Sequence, residues 1–240
     1  MLYLIGTGLN EKGISQEGLE AIKKCKSGNI YLESYTVEFP YSFDKLEKVI
    51  GKRIIVLDRE KVENEDLIKK AKRENICLLV YGCPLFATTH ISLLLDAKKL
   101  GAKIKIIYSA SIFDAIAETG LELYKFGKIS SMPKWQEHFT PESFLDYVKE
   151  NQAIGAHSLI LIDIGLEFKN ALGELEKTSK NKNLKIDKII VCSNMGGEKS
   201  KICYGKISNL KKEKIKTPFC FIIPDKMHFV EQDSINIHKI

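Results

Sequence analysis

Short apolar runs, each stopped by a Gly, Pro or polar cluster and followed by an amphipathic stretch, recur along the whole chain. "LYLIG" opens the series at Leu2 and is followed by "RIIVL", "ICLLVY" and "KIKIIY" in the first half. "SLILIDI", "KIIVCS" and "FCFIIP" continue it in the second. The intervening segments carry helix punctuation. Ser15 stands as an N-cap ahead of a helix reaching Lys24, Gly51 closes "SFDKLEKVIG" and Gly101 closes "HISLLLDAKKLG". Asn64 is expected to open "EDLIKKAKREN", and Pro141 to stand at the first helical position of "PESFLDYVKENQAIG". Alternation of this kind predicts an α/β fold, with runs such as "IIVL" and "KIKIIY" buried on both faces of a mostly parallel sheet. One antiparallel strand pair is expected in the lysine-rich segment before "FCFIIP".

The alternation loosens between Ser109 and Gln136 and then restarts. The junction is therefore placed near residue 115, which predicts two α/β domains, 1–115 and 116–240. No internal repeat or low-complexity tract is visible. A chain of 240 residues is long enough for two cores.

The formal net charge is +6, spread as lysines over many helix faces rather than focused with aromatics on one. That argues against a nucleic-acid partner. No apolar run approaches membrane-spanning length, so no membrane partner is expected. The N-terminus lacks the basic start of a signal peptide and reads as a first strand. The six cysteines form no CxxC pair and lie partly in strand-like runs, the pattern of a reducing, cytoplasmic setting and no zinc site. No metal is expected.

The chemistry-bearing candidates cluster in turns after strands. "GTGLNEKG" (Gly6 to Gly13) has the leading glycines of a dinucleotide fingerprint, but Glu11 stands where its third glycine belongs. "YGCPLFATTH" (Tyr81 to His90) joins a strand to a helix start, with Thr88 or Thr89 as a cap. "SASIF" repeats that arrangement at Ser109, "LIDIG" offers Asp163, "SNMGG" two glycines after a strand, and "PDKMHF" places His228 after the last long strand. The recurrence of such loops over both halves points to a ligand cleft between the domains. No GxSxG, HExxH, Walker A or distinctive carboxylate pair appears. That absence suits a reaction needing only positioning, such as methyl transfer from a sulfonium. No catalytic residue is singled out.

These loops resemble those of the diphthine synthases, within the tetrapyrrole-methylase-like class of S-adenosylmethionine-dependent methyltransferases. The resemblance rests on "LYLIGTGLNEKGIS", "GLEAIKKC", "LESYT", "GCPLFATTH", "YSASIFDAIAETGLELYKFGK", "SLILIDI" and "PDKMHFVE", in order from Leu2 to Glu231. It implies two α/β domains with S-adenosylmethionine folded in the cleft between them. The acceptor it implies is the 3-amino-3-carboxypropyl-histidine of translation elongation factor 2, in diphthamide biosynthesis. It also implies a homodimer, with apolar surface around Phe126, Trp135 and Phe139. Carried over by position, donor contacts fall on Leu9, Cys83, Phe86, Ser111, Ile112, Ile162, Met195 and His228. Leu9, Phe86, Ile112 and Ile162 are expected to pack on the donor's carbon atoms, and Gly82, Cys83 and Ser111 to offer backbone polar groups. The family's usual Gly-Asp-Pro is Gly-Cys-Pro here, and the "SNMGG" region is shortened. Glu33, Tyr35 and His90 are candidates for substrate contact. Two rival readings are a donor-binding protein without catalysis and a methylase of another small-molecule acceptor.

Overall fold

The strand Leu2–Gly6 (β1), buried along its whole length, lies next to the centre of a parallel sheet. The computed structural model describes every residue from Met1 to Ile240 and resolves two compact units, Met1–Asp114 and Ala115–Ile240.

In the first unit, Ile30–Glu33 (β2), Ile55–Leu57 (β3), Ile76–Val80 (β4) and Ile104–Ile107 (β5) join β1 in the order β3-β2-β4-β1-β5. All neighbouring pairs are parallel. Parallel neighbours need crossovers. These are supplied by Gln16–Lys23 (α1), Phe43–Ile50 (α2), Arg59–Glu63 (α3), Asp66–Ala71 (α4) and Ile91–Leu100 (α5), with Ile112–Ala115 (α6) closing the unit. Ser15 accepts from the Gly18 N–H, and Gly51 and Gly101 end α2 and α5 in the left-handed conformation.

Several expectations are corrected. Burial on both faces holds for β1 and β4 but not for "IIVL" and "KIKIIY". The strand order puts β3 and β5 outermost, so Ile55 and Val56 are 41% and 43% exposed and Lys105 faces solvent. The helix expected after Asn64 has Glu65 as its N-cap and stops at Ala71, short of the end of "EDLIKKAKREN". Asp58 caps the separate turn α3 through the Lys61 N–H, and Asn64 bonds the Asp66 N–H between α3 and α4.

In the second unit, Ser130–Met132 (β6), Ser158–Ile162 (β7), Lys188–Ser193 (β8), Lys201–Lys206 (β9) and Phe219–Ile223 (β10) form a sheet ordered β6-β7-β10-β8-β9. Only β6 and β7 pair in parallel; β10 runs against both β7 and β8, and β9 against β8. The expectation of a mostly parallel sheet fails here, because apolar strands buried on both faces look alike in either direction. Phe144–Ile154 (α7), Phe168–Asn181 (α8), Ile207–Leu210 (α9) and Phe229–Asn236 (α10) complete the unit. Pro141 lies outside α7, which begins three residues later. Leu145, Val148, Leu172, Leu175, Ile160 and Phe221 pack in its core. No helix of the chain is long and apolar enough to cross a membrane.

Candidate active site

The loops after β1, β4 and β5 are stitched together by backbone. Gly8 and Gly82 form an antiparallel bridge, with Gly82 N–H donating to Gly8 O at 3.0 Å and Gly8 N–H to Gly82 O at 3.4 Å. A Cβ at Gly6 would stand 2.4 Å from Gly82 O, so this approach requires glycine. Ser109 Oγ closes the third side by donating to Gly13 O at 2.7 Å. The glycines of "GTGLNEKG" thus serve loop-to-loop contact, which accounts for the incomplete dinucleotide fingerprint.

The candidate residues of this edge are placed as follows. Leu9 is buried, and its carbonyl accepts from Tyr81 Oη at 3.1 Å. Cys83 is buried at 4% exposure, whereas Phe86 is 48% exposed with its ring edge-on to Phe113, centroids 5.2 Å apart. Ser111 is buried and Ile112 half-buried. Of the backbone polar groups expected from Gly82 and Ser111, the N–H groups are engaged within the protein. The Gly82 N–H is spent on Gly8, and Ser111 gives both its N–H (2.7 Å) and its Oγ–H (3.0 Å) to Asp114 Oδ2. Neither Thr88 nor Thr89 caps α5 directly. Thr88 Oγ1 donates to Pro84 O at 2.9 Å, and Thr89 Oγ1 donates to Glu63 Oε1 at 2.7 Å.

Glu33, at the end of β2, is fully buried. Its carboxylate accepts from Tyr35 N–H and Thr36 N–H, each at 3.2 Å, and from Thr36 Oγ1 at 2.6 Å. His90 is 1% exposed with both ring nitrogens engaged. Nδ1 lies 3.2 Å from Pro84 O and Nε2 lies 3.2 Å from Tyr35 Oη. A carbonyl only accepts, so Nδ1 carries the ring proton and Tyr35 donates to Nε2. Burial pushes the His90 pKa below its ordinary value, although Glu33 opposes the shift. Burial together with Glu33 pushes Tyr35 up to about 12. His90 therefore has no free nitrogen to act on substrate; it ties the "GCP" turn to the loop after β2.

In the second unit, Ile162 is half-buried at the end of β7, where Asp163 folds back on its own turn by accepting from Ile164 N–H (3.0 Å) and Lys134 N–H (3.2 Å). Met195 is buried just after β8. Beside it Asn194 is held with a positive φ of 50°, and its Oδ1 is buried with no hydrogen-bond partner. These two strand ends share one edge of the sheet. His228 does not join them, because β10 is antiparallel and its end, Ile223, pairs with Ser158 at the start of β7. His228 is exposed and caps α10: Nδ1 accepts from Val230 N–H at 3.5 Å, and its own N–H donates to Glu231 Oε2 at 2.7 Å.

Glu231 is 1% exposed and also accepts from Glu122 N–H (2.9 Å), from His157 Nε2 (3.0 Å) and from Lys125. Burial alone would raise its carboxyl, but these hydrogen bonds prevail and hold it at about 2. His157 accepts from Asp225 N–H at Nδ1 (3.0 Å), which assigns its ring proton to Nε2. The cluster fastens the loop bearing His228 to the segment "TGLELYK".

Residues 1–211 match the family model described as Tetrapyrrole (Corrin/Porphyrin) Methylases. The diphthine synthase of Methanococcus aeolicus is 38% identical, with 98% of this chain and 96% of that protein aligned. A crystal structure of diphthine synthase superposes with a TM-score of 0.89 at 30% identity, covering 99% of this chain and 95% of that one. The chain belongs to the diphthine synthase family of tetrapyrrole methylases. The diphthine methyl ester synthase of Schizosaccharomyces pombe is 44% identical over 68% of this chain but only 58% of its own length.

For this tetrapyrrole methylase, sequence reasoning located the loops and missed the groups that organise them. Asp114, three residues after Ser111, has the spacing of a capping acid and was legible in principle. Glu231, three residues after His228, has the same spacing. Asn194 and His157 carry no local signal; Asn194 N–H bonds Pro218 O, and His157 meets Asp225 and Glu231.

Proposed function

We propose that the protein is a diphthine synthase, moving methyl groups from S-adenosylmethionine to the amino group of the 3-amino-3-carboxypropyl-histidine on translation elongation factor 2. The observation that carries this reading is the near full-length match to a diphthine synthase, 38% identical over 98% of this chain. The end-to-end alignment favours diphthine as product over the methyl ester, whose synthase aligns over little more than half its length.

Donor contacts are proposed at Leu9, Cys83, Phe86, Ser111 and Ile112 of the first unit, at Ile162 and Met195 on one edge of the second sheet, and at the exposed His228, which reaches the donor from the other edge. The residues present fit such a donor. Phe86 and Ile112 offer accessible apolar surface, and the orphaned Asn194 Oδ1 is an acceptor that an adenine amino group would satisfy. The donor brings an activated methyl on sulfur that leaves as a neutral thioether. The protein's part is positioning: the stitched loops hold a fixed edge and exclude water from the buried turn. The acceptor amine must be unprotonated to attack. With both nitrogens of His90 engaged, this chain offers no histidine base from that position, and solvent takes the proton.

A homodimer is also proposed. Of the three aromatics expected at its surface, Phe139 is 57% exposed, while Phe126 packs edge-to-face with His157 and Trp135 Nε1–H donates to Pro141 O. Scattering at micromolar concentration checks it, and a monomer there removes it.

The test is mass spectrometry of elongation factor 2 carrying the aminocarboxypropyl arm, incubated with the protein and labelled donor. Successive methyl mass increments on that histidine are expected. Donor binding without transfer would leave a non-catalytic donor-binding protein, and transfer only to a small-molecule acceptor would leave a different methylase.

A further inference from the structure

We infer that Arg59 is the specificity residue for the acceptor, receiving the carboxylate of its aminocarboxypropyl arm. The inference rests on the function proposed above.

The chain contains only three arginines against 34 lysines. Arg53 and Arg73 precede β3 and β4 and lie at the amino edge of the first sheet. Arg59 follows β3 by two residues and lies at the carboxyl edge, with the "GCP" turn. Its guanidinium carbon stands 5.1 Å over the ring of Tyr35. Glu63 approaches only Nε, at 3.9 Å, beyond hydrogen-bonding distance, and is itself held by Thr89 Oγ1 at 2.7 Å. The side chain remains 63% exposed. The guanidinium, whose fork grips a carboxylate in two parallel hydrogen bonds, thus stays largely accessible over a fixed ring.

That ring is not free to wander. Tyr35 Oη donates to His90 Nε2, and His90 Nδ1 donates to Pro84 O, each at 3.2 Å. Arg59 is thereby connected through two side chains to the turn proposed to meet the donor. Lys61, on the same short helix, is by contrast held by Asp58 at 2.9 Å.

The acceptor's chemistry fits this arrangement. Its amine and its carboxylate sit on one carbon. The amine must lose its charge to attack, whereas the carboxylate keeps it. A cation holding the carboxylate fixes the nucleophile one carbon away without approaching it. Arg59 is then a binding group for the acceptor, and Tyr35 and His90 are positioning residues.

The experiment compares wild type, Arg59→Gln, Arg59→Lys and Arg53→Gln. Elongation factor 2 bearing the arm serves as acceptor, alongside the same protein with the arm's carboxylate converted to a carboxamide. Donor affinity is measured separately by calorimetry. Arg59→Gln is expected to lower kcat/KM for the acceptor by about 30-fold or more, the scale of truncating one partner of a charge pair. Donor affinity should stay within about twofold, Arg59→Lys should recover part of the loss, and Arg53→Gln should match wild type. The carboxamide acceptor should bring wild type down to the Arg59→Gln level and leave Arg59→Gln unchanged. Arg59→Gln with wild-type kcat/KM, or an equal loss of donor affinity, would overturn the assignment while leaving the function intact. Failure of wild type to methylate the arm at all would overturn the function, and the assignment with it.

Discussion

In the first sheet every strand runs the same way, so the loops after β1, β2, β4 and β5 meet at one edge by topology alone. In the second, β10 runs against β7 and β8, and the loop carrying His228 leaves at the edge opposite Ile162 and Met195. The two regions accordingly use different means to fix their loops. The first relies on backbone contacts that require glycine: a Cβ at Gly6 would stand 2.4 Å from Gly82 O, one at Gly8 would stand 2.8 Å from Gly13 O, and Gly82 is held at a φ of +70°. The second relies on a buried carboxylate. Glu231 gathers Lys125, His157 and the N–H groups of Glu122 and His228, and His157 carries the connection on to Asp225. Parallel order brings loops together, and close packing then suffices. Where antiparallel order separates them, a charged anchor fastens the loop.

The sharpest way to break this contrast is to remove the anchor. Glu231→Ala leaves Lys125 and His157 without their shared acceptor, and losing one partner of a buried ionic cluster costs about 3–5 kcal/mol. Chemical denaturation should show a loss of that order, with hydrogen exchange rising first around residues 224–231. A loss below about 1 kcal/mol would mean that the cluster is incidental. The same carboxyl gives a pH signature. Its folded pKa is held at about 2 against an ordinary 4.5, so its contribution is complete above pH 4.5 and disappears as pH falls toward 2. Wild type should lose stability across that window, and Glu231→Gln should show a flatter acid limb.

The glycine contacts of the first unit are tested by Gly6→Ala. The added Cβ would meet the Gly82 carbonyl at 2.4 Å, so backbone must move. A cost of about 1–3 kcal/mol is expected from overpacking, with donor affinity falling alongside. Gly173 in α8 is the control, since a Cβ there meets nothing within 4 Å. Gly173→Ala should instead stabilise by about 0.5–1 kcal/mol through helix propensity. Two variants of equal effect would remove the distinction. A smaller effect is expected from the His90 tether. His90→Leu strands the Tyr35 hydroxyl, but Pro84 O keeps Thr88 as a donor, so a cost of about 1–2 kcal/mol is expected. His90→Asn places an N–H near the Nδ1 position and should recover part of it. If both variants melt with wild type, the tether is not holding the turn.

The sequence makes the first unit more legible than the second for a physical reason. Ser15, Gly51 and Gly101 mark helix ends through local chemistry, and local chemistry is what a sequence displays. Strand direction is not local. "FCFIIP" reads the same whichever way it runs, so the position of His228 could not be read from it. Edge strands misled for a related reason: "RIIVL" is as apolar as "ICLLVY", and only the strand order exposes it. At the candidate site the loops were legible and the occupancy of their hydrogen bonds was not. The Gly82 N–H is consumed by Gly8, 74 positions earlier in the chain, and nothing near Gly82 announces it.

The smallest effect is expected at Cys83, where the relatives that the sequence resembles usually carry an acid. A side chain reaching the donor would have to be accessible, yet Cys83 is 4% exposed and packed beneath the turn. Its neighbours show what holds the turn instead: Gly82 bridges Gly8, Pro84 O accepts from Thr88 and His90, and the Cys83 carbonyl accepts from the Phe86 N–H at 3.3 Å. Those contacts need the backbone of residue 83 and not its sulfur. Methyl transfer from a sulfonium also needs no enzyme nucleophile, so the thiol has no chemical step to perform. Cys83→Ala should therefore keep methyl transfer within about tenfold of wild type, roughly 1.4 kcal/mol of barrier. Gly82→Ala, one position away, should do more harm although its Cβ would meet Ser111 Cβ only at 3.7 Å. The cause is backbone strain at a φ of +70° rather than collision, worth about 1–2 kcal/mol. Should Cys83→Ala fold and bind donor yet lose transfer by orders of magnitude, the turn would act through its side chain, and the account of this edge as a backbone scaffold would fall.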